Sequence, residues 1–221
     1  MVKINIYVDG FNFYYGCLQN TPFKWLDFYS LSRKLFPKSD INRIRYFTAL
    51  VKPTSNDPQK QTRQLKYIRA LETIPVLSIH YGHFLSHPRE MPLEKPLPGG
   101  PKSACVIRTE EKGSDVNLAT YILVDAYESN FEQAVVISND SDLAEPIRII
   151  NERLKLPVGV INPQIVSENP LFAGVNRGNP SYELKKAASF HWRIKPNQII
   201  NSQFPDVMTD KNGTFRKPGE W

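Results

Sequence analysis

The sequence predicts an α/β fold with a mostly parallel central sheet. Short apolar runs that are typical of buried strands alternate with longer stretches whose apolar residues recur at helical spacing. Strands that alternate with helices form βαβ units with right-handed crossovers, and such units build parallel sheets. Ligands of these sheets gather at the carboxyl ends of the strands, near the point where the strand order reverses.

The first half of the chain supplies three predicted strands and three predicted helices. The spacing of Leu31, Leu35 and Phe36 indicates a helix, and Pro58 begins another, where its missing N–H costs no hydrogen bond. The predicted strands are 4–8, 44–51 and 76–84, and the predicted helices are 11–18, 25–36 and 58–73.

The second half continues the alternation after a proline-rich stretch. Five prolines and a Gly-Gly pair in 87–102 predict a loop that is long for a compact domain. Residues after Asn197 show no sustained period, so we expect a domain over 1–196 and a loose tail over 197–221. The predicted strands are 104–108, 134–138 and 158–161, and the predicted helices are 114–127, 143–154 and 182–188.

Composition sets limits on the class of protein. Hydrophobic residues make up 41% of the 221 residues, which excludes global disorder. The net charge of +6 favours a polyanionic partner, although it also suits an ordinary soluble protein. Two cysteines and four dispersed histidines exclude a disulfide scaffold and make a structural zinc site improbable. No signal peptide or membrane span is predicted, so we expect a cytoplasmic protein without a membrane partner.

Acidic residues follow the ends of predicted strands. Asp9 follows the first strand, and Asp140 and Asp142 follow the strand over 134–138. Asp115 lies on the apolar face of its helix, the face that packs on the sheet. Each acid alone has a structural interpretation, as a turn residue, a helix N-terminal charge or a capping loop. Together they predict three or four carboxylates at one edge of the sheet.

Such a cluster points to a divalent cation. Carboxylates packed together raise one another's pKa unless a cation neutralises them. Mg²⁺ or Mn²⁺ fits, because hard divalent ions take oxygen ligands, and such ions can activate water and stabilise the in-line displacement of a phosphodiester. Glu110, Glu111 and Asp125 fit this pattern less well, and we expect them to be solvated charges.

Three segments, taken in order, carry a family resemblance. They are Ile6-Tyr7-Val8-Asp9-Gly10-Phe11-Asn12, Glu111-Lys112-Gly113-Ser114-Asp115-Val116 and Val136-Ile137-Ser138-Asn139-Asp140-Ser141-Asp142-Leu143. The chain resembles the NYN domain family of the PIN-like nuclease superfamily, in its bacterial DUF88 or LabA-like branch, from Lys3 to Ile161. The resemblance implies a PIN-like three-layer α/β/α sandwich and metal-dependent endoribonuclease chemistry.

By position, the resemblance assigns roles to five residues. Asp9, Asp115 and Asp140 would be the catalytic acids that bind the metal, Asp142 would be an accessory ligand, and Asn12 would orient the substrate or a metal-bound water. The chain departs from the family at two positions. Tyr121 stands where an acid is common, and Asn139 stands where Gly is usual, a change that a left-handed backbone tolerates.

RNA is the predicted partner, and the oligomeric state, including a homodimer, is left open. A basic row recurs every three residues on one helix, which is typical of a solvated face and also suits a track for phosphates. With a lysine beside the acidic edge, the candidate RNA-binding residues are Lys60, Arg63, Lys66, Arg69 and Lys112.

Three alternative functions remain. A haloacid dehalogenase-type phosphohydrolase would need an acid where this chain has Phe11, so that interpretation is the weaker one. A non-catalytic module that binds RNA or protein is favoured by Tyr121 and the proline-rich stretch. An activity on a small molecule in the same cleft is also open, because fold alone does not fix chemistry.

Overall fold

A six-stranded, entirely parallel sheet forms the centre of the computed structural model, which describes residues 1–96, 98–175 and 178–221. Its strands are β1 (Lys3–Asp9), β2 (Asp40–Thr48), β3 (Leu77–Tyr81), β6 (Gln133–Ile137), β7 (Val158–Asn162) and β8 (Phe190–Arg193). They have the order β3-β2-β1-β6-β7-β8 in the sheet, so the strand order reverses between β1 and β6. The predicted mostly parallel sheet is confirmed, with β8 as a further strand.

Helices cover both faces of the sheet. The side chains of Ile4, Ile6 and Val8 face one buried cluster, and that of Tyr7 faces another, as the two-residue period of a strand requires. The predicted three-layer α/β/α sandwich is thereby confirmed. The helices are α1 (Gly10–Phe13), α2 (Phe28–Leu35), α3 (Lys60–Leu71), α4 (Ser114–Tyr127), α5 (Ala144–Ile149), α6 (Tyr182–Ala187) and α7 (Pro196–Ile200).

Short turns complete these helices. Two π-helical turns extend α1 and α5, and 3₁₀ turns precede α5 and α6; they are Tyr14–Leu18, Ile150–Leu154, Ser141–Leu143 and Pro170–Phe172. In the described part of the chain, no helix is both long and apolar enough to cross a membrane.

The proline-rich stretch is an antiparallel hairpin for most of its length. Strands β4 (His83–Pro92) and β5 (Ser103–Lys112) pair in register from His83 with Lys112 to Pro92 with Ser103. The prediction of a loop over 87–102 is therefore wrong for residues 87–92. Prolines are tolerated here because a two-stranded ribbon consists of edge strands, in which an N–H can face solvent.

The segment after Asn197 is not loose. It continues α7 and then forms the hairpin of β9 (Val207–Asp210) and β10 (Gly213–Arg216). Phe204, Phe215 and Trp221 pack around Trp25, whose indole N–H donates to the Pro205 carbonyl oxygen at 2.9 Å. The sequence pattern missed this segment because only scattered aromatic residues enter the core, without a helix or strand period.

Candidate active site

Asp9 ends β1 and begins α1, so its carboxylate is fixed by local structure. Its side chain is 5% exposed and accepts hydrogen bonds from the Asn12 N–H and the Ser138 hydroxyl, both at 2.9 Å. The chain can turn directly into α1 because Gly10 has no side chain: a Cβ there would lie 2.6 Å from the Phe47 carbonyl oxygen. Asp9 is therefore held in one orientation at the carboxyl edge of the sheet.

Asp140 lies on the loop after β6, beside Asp9. Its carboxylate accepts from the Asp142 N–H at 3.0 Å, and its own N–H donates to the Ser138 hydroxyl oxygen at 3.1 Å. Because β1 and β6 are neighbouring parallel strands, with Val8 opposite Ile137, the two loops leave the sheet side by side. Asp9 and Asp140 thus flank the point where the strand order reverses, where ligands of such folds bind.

Asn12 holds the Asp140 loop in place. Its side-chain oxygen accepts from the Asn139 N–H at 3.0 Å, and the side-chain oxygen of Asn139 accepts from the Ser181 N–H at 2.7 Å. The sequence suggested that Asn12 orients a substrate or a metal-bound water. In the structure, Asn12 lines the cavity but uses its amide oxygen to position the loop.

Asp115 reaches the same edge from the first turn of α4. Gly113, at φ +100°, makes the turn from the β4–β5 hairpin into that helix. The carboxylate of Glu111 accepts from the Ser114 N–H at 3.2 Å and from the Ser114 hydroxyl at 2.6 Å. Glu111 also lines the cavity, so the expectation that it is a solvated charge is wrong. Its position three residues before Ser114, at the start of a helix, is the sequence feature that could have indicated this contact.

Asp9, Asp115 and Asp140 open into one cavity of about 370 Å³, which we call the carboxylate cavity. Phe11 and Phe84 stand beside the acids, with ring centroids 5.6 Å apart in edge-to-face contact, so the β4–β5 hairpin forms part of the wall. The cavity is lined by Asp9, Phe11, Asn12, Tyr15, Gly16, Phe84, Glu111, Ser114, Asp115, Asp140 and Gln164.

The acids in this cavity raise one another's pKa. Burial, together with the charges of Asp115 and Asp140, raises the pKa of Asp9 to about 7, against the hydrogen bonds of Asn12 and Ser138, which lower it. Burial and the charges of Asp140, Glu111 and Asp142 raise the pKa of Asp115 to about 6. A proton or a cation is therefore favoured here at neutral pH.

The donor set suits a hard divalent cation that keeps much of its hydration. The acidic lining residues are Asp9, Glu111, Asp115 and Asp140, none of the described lining residues is basic, and Mg²⁺ is commonly bound through one or two carboxylates and several waters. Over 1–96, 98–175 and 178–221, no three His, Cys, Asp or Glu side chains are grouped closely enough to hold one ion in common. The fit is to a hydrated ion, and not to a cage made by the protein alone.

Two further predicted positions lie away from the cavity wall. Asp142 is exposed, and it acts on the cavity through its charge, which raises the pKa of Asp115. The Tyr121 ring lies 4.5 Å from the Arg45 guanidinium carbon and 4.3 Å from the His80 ring centroid. Tyr121 therefore packs over the sheet and does not line the cavity.

Asp125 is a buried ion-pair partner, which corrects the expectation of a solvated charge. It is 1% exposed and accepts from the Arg45 guanidinium at 2.8 Å and from the Tyr7 hydroxyl at 2.6 Å. Burial raises its pKa, but the hydrogen bonds of Arg45 and Tyr7 bring it below its ordinary value. Asp125 lies ten residues after Asp115 and therefore on a different side of α4. The apolar pattern of that helix did not predict its burial.

The residues of the predicted basic row on α3 differ in their contacts, because the arginines form ion pairs. Arg69 forms an ion pair with Asp210 at 2.6 Å, and Arg63 forms ion pairs with Asp57 and Glu220. Lys66 is exposed on the same helix. Lys112 lies at the end of the hairpin and pairs with Glu110 at 3.0 Å. The two arginines hold the C-terminal segment and the loop before α3 in place.

The fold and the cavity define a PIN-like α/β/α protein with an acidic site at the carboxyl edge of its sheet. A crystal structure of a protein of unknown function from Vibrio parahaemolyticus RIMD 2210633 has this fold, with a TM-score of 0.52, 17% identity and coverage of 92% of this chain and 96% of that one. The NYN domain model matches residues 3–191. The chain belongs to the NYN domain family.

A curated relative has a named enzymatic activity. The chain is 27% identical over 247 aligned positions to 6-hydroxy-3-succinoylpyridine 3-monooxygenase HspA of Pseudomonas putida (strain DSM 28022 / S16). The match covers all of this chain and 75% of that protein. The family and this relative both favour an enzyme.

Proposed function

We propose that the protein is an endoribonuclease that depends on Mg²⁺ or Mn²⁺ and hydrolyses RNA phosphodiester bonds. The observation that carries the proposal is the convergence of Asp9, Asp115 and Asp140 in one cavity at the carboxyl edge of the sheet. Membership of a nuclease-like family supports this chemistry. The raised pKa values of Asp9 and Asp115 support a site that needs positive charge.

The protein's own groups would supply position and proton transfer. Asp9, Asp115 and Asp140 would hold a hydrated ion, in part through its waters, with Asp142 adding negative charge from outside the cavity. When bound, Mg²⁺ or Mn²⁺ would offset the carboxylates and stabilise the charge that develops on the scissile phosphate. Asp9 is oriented by the Asn12 N–H and the Ser138 hydroxyl, so it can hold or accept a proton at a fixed place.

We assign RNA binding to lysines of the predicted basic set. Lys112 ends the hairpin that forms the cavity wall, and Lys60 and Lys66 lie on α3. Lysine contacts to phosphates would make the affinity for RNA fall as the salt concentration rises. Such contacts do not depend on the RNA sequence. Arg63 and Arg69 belong to the same predicted row, but their ion pairs, like that of Lys112 with Glu110, compete with phosphate.

Cleavage of an end-labelled RNA containing single-stranded and hairpin regions tests the proposal. We expect cleavage that requires Mg²⁺ or Mn²⁺ and stops with EDTA. Asp9→Asn, Asp115→Asn and Asp140→Asn should each lower the rate at least about 100-fold with folding intact. Asp40→Asn, an exposed acid at the opposite end of β2, is the matched control and should cleave normally. Undiminished cleavage by both Asp9→Asn and Asp140→Asn would end the proposal.

A second candidate is an enzyme that acts on a small aromatic molecule in the same cavity. The relative named as a succinoylpyridine monooxygenase favours it, as do Phe11, Tyr15 and Phe84, which line the cavity beside the acids. Incubation with hydroxypyridine carboxylates, in air and with a two-electron reductant, followed by chromatography, separates the candidates. Product formation without RNA cleavage would favour the second, and RNA cleavage without product would favour the first.

A further inference from the structure

A second cavity of about 390 Å³ lies on the other side of α1. Its walls come from α1 and the turn that follows, the end of β2, α3 and the C-terminal residues. Phe11 and Tyr15 line both cavities, so the two are separated only by the start of α1. We call it the aromatic cavity. Its volume lies at the small end of the range of about 300–1,000 Å³ that is usual for small-molecule sites.

Aromatic rings dominate its wall. Tyr14 is half-buried, Phe28 and Tyr46 are buried, and Trp221 closes one end against Tyr67 with ring centroids 5.8 Å apart. Rings of this kind stack on planar bases whatever the base, because every base presents a π-face. The wall therefore favours a flat aromatic group.

Basic side chains outnumber acidic ones at the rim of the aromatic cavity. The cavity is lined by Lys24, Lys60 and Arg63 against two carboxylates, Asp57 and Glu220. Arg63 is paired with both of these acids. In the described part of the chain, Lys24 and Lys60 form no ion pair.

The Lys24 ammonium is the more unusual of the two unpaired cations. It is half-buried, and burial and the charge of Arg63 lower its pKa, against the opposing effect of the Asp57 charge. A half-buried cation held beside another cation is stabilised by an anionic ligand. Aromatic walls and unpaired ammonium groups in one cavity together suit a ligand with a flat ring and an anionic group.

We propose that the aromatic cavity binds a nucleotide, with the base against the tyrosine rings and the phosphate at Lys24 and Lys60. A nucleotide combines the two features that the cavity favours, a planar ring and a compact anion, in one small molecule. The ion-paired Arg63 guanidinium borders the same rim. The proposal does not depend on the reaction in the carboxylate cavity.

Calorimetric titration of the whole chain with adenosine 5′-monophosphate, in EDTA, tests the proposal. We expect saturable binding with one site, and binding of adenosine or inorganic phosphate that is at least about tenfold weaker. Nicotinate, an aromatic acid without a phosphate, should also bind more weakly. Absence of saturable binding of the nucleotide, or tighter binding of nicotinate, would overturn the proposal.

Variants locate the nucleotide. Lys24→Gln should weaken binding of the nucleotide at least about tenfold and leave binding of adenosine unchanged. Tyr14→Leu should weaken binding of both. Lys38→Gln, an exposed lysine between α2 and β2, and Tyr29→Leu on α2 are matched controls and should bind normally. Nucleotide binding that is unchanged in both Lys24→Gln and Tyr14→Leu would contradict the proposal.

Discussion

The Ser138 hydroxyl donates a hydrogen bond to Asp9 Oδ2 at 2.9 Å, and this bond joins the ends of the two strands between which the strand order reverses. The same oxygen of Ser138 accepts from the Asp140 N–H at 3.1 Å. One serine therefore connects two of the three converging acids. The geometry of the carboxylate cavity depends on this contact as much as on the acids themselves.

Removal of the Ser138 hydroxyl should raise the pKa of Asp9 further. Burial already raises that pKa to about 7, and the Ser138 hydrogen bond is one of the contacts that lower it. A carboxyl ¹³C titration of metal-free Ser138→Ala should show the Asp9 transition at higher pH than in the wild type. Ser141→Ala, an exposed serine of the same loop, should leave it unchanged, and an unshifted transition in Ser138→Ala would contradict this account.

Asp9→Asn should stabilise the metal-free protein at neutral and alkaline pH. Asp9 is almost completely buried, and its pKa rises from 3.8 in the unfolded chain to about 7 when folded. The folded state thus holds its proton while the unfolded state loses it, so the wild type loses stability as pH rises from about 4 to about 7.

The difference in the free energy of unfolding between Asp9→Asn and the wild type, followed with pH, measures that loss of stability. We compare the free energies of unfolding of Asp9→Asn and the wild type in urea with EDTA. The advantage of the variant should be roughly 2–4 kcal/mol larger at pH 8 than near pH 4. Equal differences at the two pH values would show that Asp9 is not the group that destabilises the fold.

Asp125→Asn should destabilise the fold strongly. Asp125 is 1% exposed and bonded to Arg45 and Tyr7, so the variant leaves a partly buried guanidinium without its counter-charge. We expect a loss of about 3–5 kcal/mol in the free energy of unfolding. Arg148→Gln breaks ion pairs with Glu145 and Glu152 in which every partner is exposed, and it should change the stability far less. Similar costs for the two variants would mean that the Asp125 network is not buried in solution.

Phe215→Ala should show that the C-terminal hairpin belongs to the fold. Phe215 is 7% exposed, lies 6.3 Å from Trp25 between ring centroids, and carries the Arg69 guanidinium over its ring at 4.2 Å. We expect a loss of about 3–4 kcal/mol in urea unfolding. Val207→Ala, exposed on the same hairpin, should change stability by less than about 0.5 kcal/mol. A neutral Phe215→Ala would mean that the segment is loose after all.

Sequence periodicity predicted the sheet and its carboxyl edge because buried parallel strands are short apolar runs. Asp9, Asp115 and Asp140 were placed at that edge by their position after strands or on the sheet-facing side of a helix. Asp125 was missed because its burial depends on Arg45, a partner 80 residues away in the chain. A strand over 104–108 was predicted, but the extent of the β4–β5 hairpin over 87–92 and the whole C-terminal hairpin were missed, because their pairing involves edge strands and scattered aromatic contacts, which leave no regular period.

A crystal soaked in Mn²⁺ tests the central claim most directly. We predict an anomalous peak in the carboxylate cavity, within ligand or water-mediated reach of Asp9, Asp115 and Asp140, which disappears in Asp140→Asn. A cavity that takes up no Mn²⁺ at millimolar concentration, or a peak that stays unchanged in Asp140→Asn, would contradict the account.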